Sequence, residues 1–390
     1  MTAARKSLKT LPGVNADIYA KAKKAKAPYL TAEQADAFGR ELDALREGVL
    51  ASRGENDAAY IRRVIALQRK MEVAGRGVIY AGIVFPPAFL AGALLLGAAK
   101  ILDNMEVGHN IMHGQWDWMR DPVIHSSKWD WDTACPADQW KHSHNVEHHT
   151  WTNVVGMDKD VGYGILRMSE QEPWEPRHLL NPINNALLAI FFQYGVGVHD
   201  TGIAEVRSLK GLRNMKPETK AKLKGVWAKT RRQLLKDYVL FPALAGPFFL
   251  PVLAANIGAN LTRNLWTYMI IFCGHFPDGV EQFTTESVKN ETRGQWYLRQ
   301  LLGSANIKGG KTLHVMSGHL TFQIEHHLFP DLPSNRYPEL SKEVQKICAK
   351  YGLPYNSASL ARQFGSTLKR VVKLGLPNMQ DLRRTVATPA

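Results

Sequence analysis

WKHSHNVEHHTWTNVVGMDKD, running from Trp140 to Asp160, is the stretch whose reading decides the rest of the chain. His142, His144, His148 and His149 fall within eight residues of it, with Asn145 and Glu147 between them. Neutral imidazole is the commonest side-chain ligand for transition metals, and a surface helix has no structural need for four together. Two further clusters flank the stretch, His109/His113 before it and His326/His327 after it. On a helix, residues i and i+4 share a face. His109 and His113 can therefore share one ion, and so can His144 and His148. Adjacent helical residues diverge by about 100°. His148 and His149 therefore suit two different ions, as do His326 and His327, and the clusters together predict a dinuclear site.

An internal echo supports this. Asn145-Val-Glu-His148-His149 reads like Gln323-Ile-Glu-His326-His327. In each, an amide lies three residues before the first histidine, where it can ligate weakly or hold a metal-bound water. Zinc sites use about three histidines and a water, and copper(I) sites prefer sulfur. Carboxylate di-iron bundles use Glu and Glu-x-x-His. A histidine-rich di-iron site with open positions for O₂ fits the set best. Asp103, Glu106, Asp117, Asp121, Asp130, Asp132, Asp138, Glu147, Asp158 and Asp160 gather in the same region. Several can accept the second N–H of a ligating histidine. For Asp158 and Asp160, turn chemistry around Gly156 and Gly162 is an equal reading.

The bulk numbers bound the rest. The 390 residues carry a net charge of +14, so an anionic partner is expected. No zinc finger, RRM or P-loop signature appears, which argues against nucleic acid. Cys135, Cys273 and Cys348 form no CxxC pair, so neither a disulfide framework nor a thiolate metal site is expected.

In chain order, the lysine-rich first 30 residues lack the apolar core of a secretory signal. Leu30 to Lys70 has helical periodicity, opened by a capping box at Thr31 and Gln34. Val78 to Ala99 is uncharged but broken by Pro86-Pro87, which predicts two helices. The first borrows the turn holding Glu72 and Arg76. The second runs to His113, spanning about 39 Å against a hydrocarbon core of ~30 Å. His109 and His113 then stand beyond the lipid. Leu187 to Val198 is short and reads as an interfacial helix. The basic stretch Arg207–Lys236 belongs on the cytoplasmic face, against anionic headgroups. Tyr238–Leu261 and Leu265–Phe276, parted by Arg263 and Asn264, read as a second hairpin of two spans. Pro338–Tyr351 and Ser357–Leu374 read as amphipathic helices ending at Gly352 and Gly375. The expected fold is an all-α membrane protein. Two transmembrane hairpins, four spans in all, put the termini, the basic stretch and the three histidine clusters on one side; the cytosolic helical cap that holds the di-iron site is what the family resemblance given next implies. Expected boundaries are a basic N-terminal tail and helical region at 1–70, a membrane and catalytic domain at 71–340, and C-terminal amphipathic helices and tail at 341–390.

HNIMH (His109–His113), HNVEHHTWTNVVGMDKD (His144–Asp160) and QIEHHLFPDLPSNRY (Gln323–Tyr337) resemble the three histidine boxes of the membrane fatty acid desaturases. The likeness runs from about Lys100 to Leu340, and its details most resemble bacterial acyl-CoA Δ9 desaturases. QxxHH in the third box is also typical of front-end desaturases. The resemblance implies two iron ions, O₂ as co-substrate, and desaturation of a long acyl chain on CoA or lipid. It implies the ligands His109, His113, His144, His148, His149, His326 and His327. His275 matches a further family histidine just after the fourth span, and Gln323 stands where some relatives have histidine. Asn145 and Gln323 are expected beside the metals or as weak ligands, and no catalytic side chain is expected beyond the metal centre. His319 reads as a hydrogen-bonded structural histidine, and His142 as a neighbour of the ligands. Regiochemistry would be set by distance along an apolar tunnel, with basic residues at its mouth for the CoA phosphates or headgroup. No HPGG haem segment and no GxGxxG before a helix occur, so a separate reductase or ferredoxin is expected to supply electrons. The expected location is the cytoplasmic membrane, multi-pass, with active site and termini on the cytoplasmic side. The competing readings are an acyl hydroxylase on the same scaffold, a membrane zinc hydrolase, and a metal carrier.

Overall fold

The computed structural model describes residues 29–203 and 214–378. The lysine-rich start of the chain, and Arg207, Lys210 and Arg213 of the basic stretch, lie outside them. The described residues are mostly helical. Their named strands, β1 (Asn306–Lys308) and β2 (Ser357–Ser359), pair in parallel over three residues.

Helix α1 (Ala32–Ser52) begins at the expected capping box. The Gln34 N–H donates to Thr31 Oγ1 at 3.2 Å, and the Thr31 N–H to Gln34 Oε1 at 2.9 Å. Gly54 caps α2 (Glu55–Ala81). A short turn leads to α3, which runs unbroken from Pro87 to Met112. Pro87 fits the first helical turn, where its missing N–H costs no bond. Glycines allow α2 and α3 to touch along their backbones. A Cβ on Gly75 would stand 2.8 Å from Leu96 N, and one on Gly92 2.5 Å from Ile79 N.

The second hairpin turns at a different place from the one its charges predict. Helix α8 (Phe249–His275) passes through Arg263 and Asn264 without a break. Arg263 is buried, and its guanidinium donates to the Asp132 carbonyl at 3.0 Å, Asn264 Oδ1 at 3.2 Å and Asn260 Oδ1 at 3.3 Å. With its donors satisfied, it does not end the helix. The turn lies at 245–248, where Gly246 has φ +55° and Pro247 follows. Before it runs α7, residues 217–244, made of Pro217–Leu234, a widened π turn over Leu235–Leu240, and Phe241–Leu244. The basic stretch and the apolar run after it therefore share one helix.

One ion network ties both hairpins together. Lys100 on α3 donates to Asp237 on α7 at 2.8 Å and to Asp132 at 3.1 Å. Arg76 on α2 reaches the same Asp237 at 3.2 Å and Glu72 at 3.2 Å. The charges that made α2 a weak span by sequence are thus paired inside the bundle. Among the described residues, α3 is the one helix long and apolar enough to cross a membrane.

The remaining helices form a cap. They are α4 (residues 137–151), α5 (Asn181–Ile190), α6 (Phe192–His199), α9 (Arg293–Leu302), α10 (Lys311–Met316), α11 (Gln323–Leu328), α12 (Tyr337–Lys350) and α13 (Leu360–Gly375). Phe38 and Leu42 of α1 share a core with Tyr297 of α9, Ile324 and Leu328 of α11, and Leu340 and Val344 of α12. The N-terminal helix therefore closes over the third histidine box. Val371 of α13 packs with Leu188 of α5 and Tyr268 of α8.

Candidate metal centre

Four elements bring histidines to one place, and two of them do so through a π turn. In α3 the turn covers Asp103–His109, just ahead of His113. In α4 it covers Lys141–His148, with His149 following. The end of α8 supplies His275, and α11 supplies His326 and His327. π turns widen a helix and recur at functional sites.

The side chains sort into two groups that can each hold a metal ion. His109, His113, His144 and His326 form the first, and His148, His275 and His327 the second; within each, the candidate ligand atoms lie within 4.8 Å of one another. His326 and His327 part as adjacent residues should. His144 and His148 also part, although i and i+4 spacing predicts a shared ion. Their rings stack 5.1 Å apart. The widened turn between them alters their relative angle, and Asp158 holds His148 from behind, with both carboxylate oxygens 3.0 Å from Nδ1. The two histidines do meet in a third, overlapping group with Asp160. His149 belongs to neither main group but touches both. Its ring stacks on His327 at 4.4 Å and meets His113 edge-on at 4.7 Å.

The electrostatics favour neutral imidazole. Burial first, and neighbouring imidazoles second, hold His113, His144, His149, His326 and His327 well below the ordinary histidine range. His148 goes the other way: burial lowers it, but the Asp158 carboxylate overrides burial and raises it to about 9.

The donor set fits a transition metal. Buried polar atoms in folded proteins nearly always find a partner. Here His113 Nε2, His144 Nε2, His326 Nε2, His275 Nδ1 and both nitrogens of His149 are buried without a hydrogen bond. Neutral Nε2 lone pairs on His113, His144 and His326, all of the first group, suit a cation. The opposite ring nitrogens are held by the protein. His109 Nδ1 pairs with Asn110 Oδ1 at 3.0 Å, His327 Nδ1 with Gln300 Oε1 at 3.1 Å, and His326 Nδ1 with the Tyr337 hydroxyl at 3.4 Å. Such partners fix which nitrogen faces a metal. Asp158 is both such a partner and a turn residue, since it also accepts the Asn153 and Asp160 N–H groups.

The other predicted positions fall as follows. Gln323 Nε2 lies 2.9 Å from His275 Nε2, and its Oε1 is buried without a partner. Asn145 donates to the Met112 carbonyl at 2.9 Å and leaves Oδ1 unpaired. His319 stands outside the groups, bonded through Nδ1 to Glu106 at 2.8 Å. His142 was expected beside the ligands but points outward, its side chain 59% exposed; it lies on the outer face of the same helix. Gln300, Thr152 and Asn110 were missed as histidine partners. Asn110 and Thr152 lie inside the first two boxes, but Thr152 serves His327 of the third at 3.2 Å, and Gln300 reaches His327 from α9, pairings that only the fold makes.

One wall of the site faces a cavity. His109, His144, His148, His275 and Gln323 line it together with apolar groups that include Met105, Tyr163, Phe192, Ile271, Phe276 and Leu320.

A family profile described as fatty acid desaturase matches residues 85–359. The chain is 49% identical over 354 residues to an "NADPH-dependent stearoyl-CoA 9-desaturase" of Mycobacterium tuberculosis, covering 90% of this chain and 82% of that protein. It is 25% identical over 348 residues to an "sn-1 linoleoyl-lipid 6-desaturase" of Synechocystis, covering 84% and 93%. It is 26% identical over 220 residues to "Fatty acid desaturase 3" of Bos taurus, covering 55% and 46%. With its three histidine boxes gathered on one apolar cavity, this chain belongs to the fatty acid desaturase family.

Proposed function

We propose that the protein is an O₂-dependent desaturase that places a cis double bond at the Δ9 position of a long-chain fatty acyl group carried on CoA. The observation that carries the reading is the pair of histidine groups on the wall of an apolar cavity. The substrate and position rest on the mycobacterial relative, whose name gives stearoyl-CoA and carbon 9.

His109, His113, His144 and His326 would hold one iron, and His148, His275 and His327 the other, with His149 between them. Asn145 and Gln323 stand at the margin, each with an unpaired carbonyl oxygen that suits a water or a weak contact. Iron bound there supplies the O₂-dependent oxidation that removes two hydrogens from adjacent CH₂ groups. The chain's own residues do the rest. Asp158 fixes the His148 ring, and Asn110 the His109 ring. Met105, Phe192, Ile271 and Leu320 keep the acyl chain in an apolar slot and exclude water. No side chain is needed as a separate acid or base.

Each turnover needs two electrons and two protons to take O₂ to two waters. A separate reductase or ferredoxin, drawing on NADPH as the relative's name indicates, would supply the electrons. Docking on the second histidine box suits this role. In the π turn of α4 only His148 is buried, and Val146 is 56% exposed. In α11 all six residues are buried.

The α2–α3 and α7–α8 hairpins would form four spans, with the cap and its metals on the cytoplasmic side. Val84, Phe85, Leu90 and Leu94 on the first pair, and Leu244, Leu250 and Ile257 on the second, are exposed apolar side chains that suit lipid.

Expression with a reductase in a desaturase-deficient host, followed by fatty acid profiling with double-bond location, tests the reading. New 9-unsaturated acids are expected, and two irons per chain in the purified protein. Hydroxylated products, or one zinc per chain, would overturn it.

A further inference from the structure

Gln115 is a fully buried amide outside the three histidine boxes. It lies in the turn after α3, and its side chain is clasped by four groups. Its Nε2 is 3.1 Å from the Tyr337 hydroxyl, 3.1 Å from the Pro330 carbonyl and 3.5 Å from Asn110 Oδ1. Its Oε1 accepts the Ser334 N–H at 2.9 Å.

Two of these partners are the groups that hold histidines of the first cluster. Asn110 Oδ1 sits 3.0 Å from His109 Nδ1, and the Tyr337 hydroxyl 3.4 Å from His326 Nδ1. A closed chain therefore runs His109–Asn110–Gln115–Tyr337–His326. It joins two elements more than 200 residues apart in sequence.

The donors in this chain have one consistent order. Asn110 Nδ2 donates to the Glu106 and Gly318 carbonyls, which leaves Oδ1 to accept. The Tyr337 hydroxyl donates to the Phe329 carbonyl at 3.1 Å, so it accepts from Gln115 and from His326. Both histidines must then carry their proton on Nδ1 and turn Nε2, as a lone pair, toward the cluster. His326 Nε2 is one of the buried nitrogens without a protein partner. Among the described residues, Gln115 is the one side chain hydrogen-bonded to both acceptors.

We infer that Gln115 is a positioning residue for the first metal site alone: through Asn110 and Tyr337 it sets the tautomer of His109 and His326. The second group has its own supports, Asp158 behind His148 and Gln300 behind His327. Neither touches Gln115. The inference rests on the reading of two irons held by these two groups, and predicts that they can be lost separately.

The test is iron per folded chain, with the Mössbauer spectrum of the ⁵⁷Fe-loaded protein, in detergent. Wild-type protein should hold two irons; fewer would overturn the underlying reading rather than this inference. Gln115→Leu removes the donor. It should bring the content to about one iron and leave one quadrupole doublet at the wild-type position. Gln115→Glu keeps the acceptor for Ser334 but cannot donate. It pushes the Asn110 amide to turn its N–H₂ toward the new carboxylate, and should lose the same iron. Tyr337→Phe removes a single hydroxyl and decides the matter if the Gln115 variants do not fold. It should weaken retention of that iron under chelator by tenfold or more while the other stays. Two irons held at wild-type strength in Tyr337→Phe or in folded Gln115 variants would overturn the inference. So would equal loss of both.

Discussion

At the residue scale, the clearest lesson is how differently two neighbouring histidines are treated. His149 has no hydrogen-bond partner on either nitrogen, whereas His148 is gripped by a carboxylate. Both lie in the histidine cluster, so removal of either should be felt at the proposed metal site before the fold. His148→Ala should lose iron of the second group and at least a hundredfold in turnover, read by metal analysis and acyl product formation. Full activity in that variant would sink the ligand assignment. Asp200 lines the same cavity and accepts from the Cys135 thiol at 3.0 Å. Burial pushes its carboxyl up to about 6. The sign follows from linkage. Below pH ~4 folded and unfolded chains both hold the proton, so Asp200 contributes nothing. Between ~4 and ~6 the unfolded chain ionises first, and stability falls by roughly 2–3 kcal/mol. Above that the penalty is complete. Asp200→Asn should therefore raise Tm at pH 8 and leave it unchanged at pH 4. Equal shifts at both pH values would show that burial of charge is not the cause.

At the scale of elements, the π turns matter most. The π turn in α3 leaves His109 and His113 in one group, as their spacing predicts. The wide turn in α4 is what lets one short segment serve both groups. Neither turn is visible in composition, because the same residues are acceptable in ordinary helix. The approach of the third box to α3 is just as specific. Gly318 has φ +68°, and a Cβ there would lie 2.6 Å from the Met105 carbonyl oxygen. Gly318→Ala meets both backbone strain and a rigid neighbour, at a cost of at least about 1–3 kcal/mol. The expected result is a lower Tm and reduced iron content, since the segment leads directly into α11. An alanine variant with wild-type Tm would mean that α3 and the segment can separate without loss.

On the scale of the whole molecule, buried charge and exposed apolar surface decide what the fold tolerates. Asp237 is 1% exposed and bonds Lys100 and Arg76 from two different helices. Removing one member of a buried ion group strands the others, at about 3–5 kcal/mol. Asp237→Ala should accordingly unfold the detergent-solubilised protein at a clearly lower temperature, while Glu72→Ala, at a 35% exposed side chain, should change little. The outer face of the hairpins tests the membrane reading. Leu94 is 55% exposed in the middle of α3. A lysine there should cost about 2.5–3.5 kcal/mol in a bilayer and reduce the carbonate-resistant fraction. In a water-facing helix the same change would be harmless.

The amino-acid sequence by itself determined the chemistry. Three histidine clusters, their adjacent pairs, the N-cap at Thr31, the proline break before α3 and the family resemblance are all local signals, set by spacing along one segment. What only the tertiary structure decided was how those signals combine. It divided His144 from His148, turned His142 outward, carried α8 through Arg263, and brought Gln115 and Gln300 behind the histidines. The physical reason is that these outcomes depend on partners far away in the chain. A buried arginine is compatible with a helix only if the Asp132 carbonyl comes to meet it. A histidine joins one group or the other according to what holds its second nitrogen. Periodicity along a segment carries no record of either.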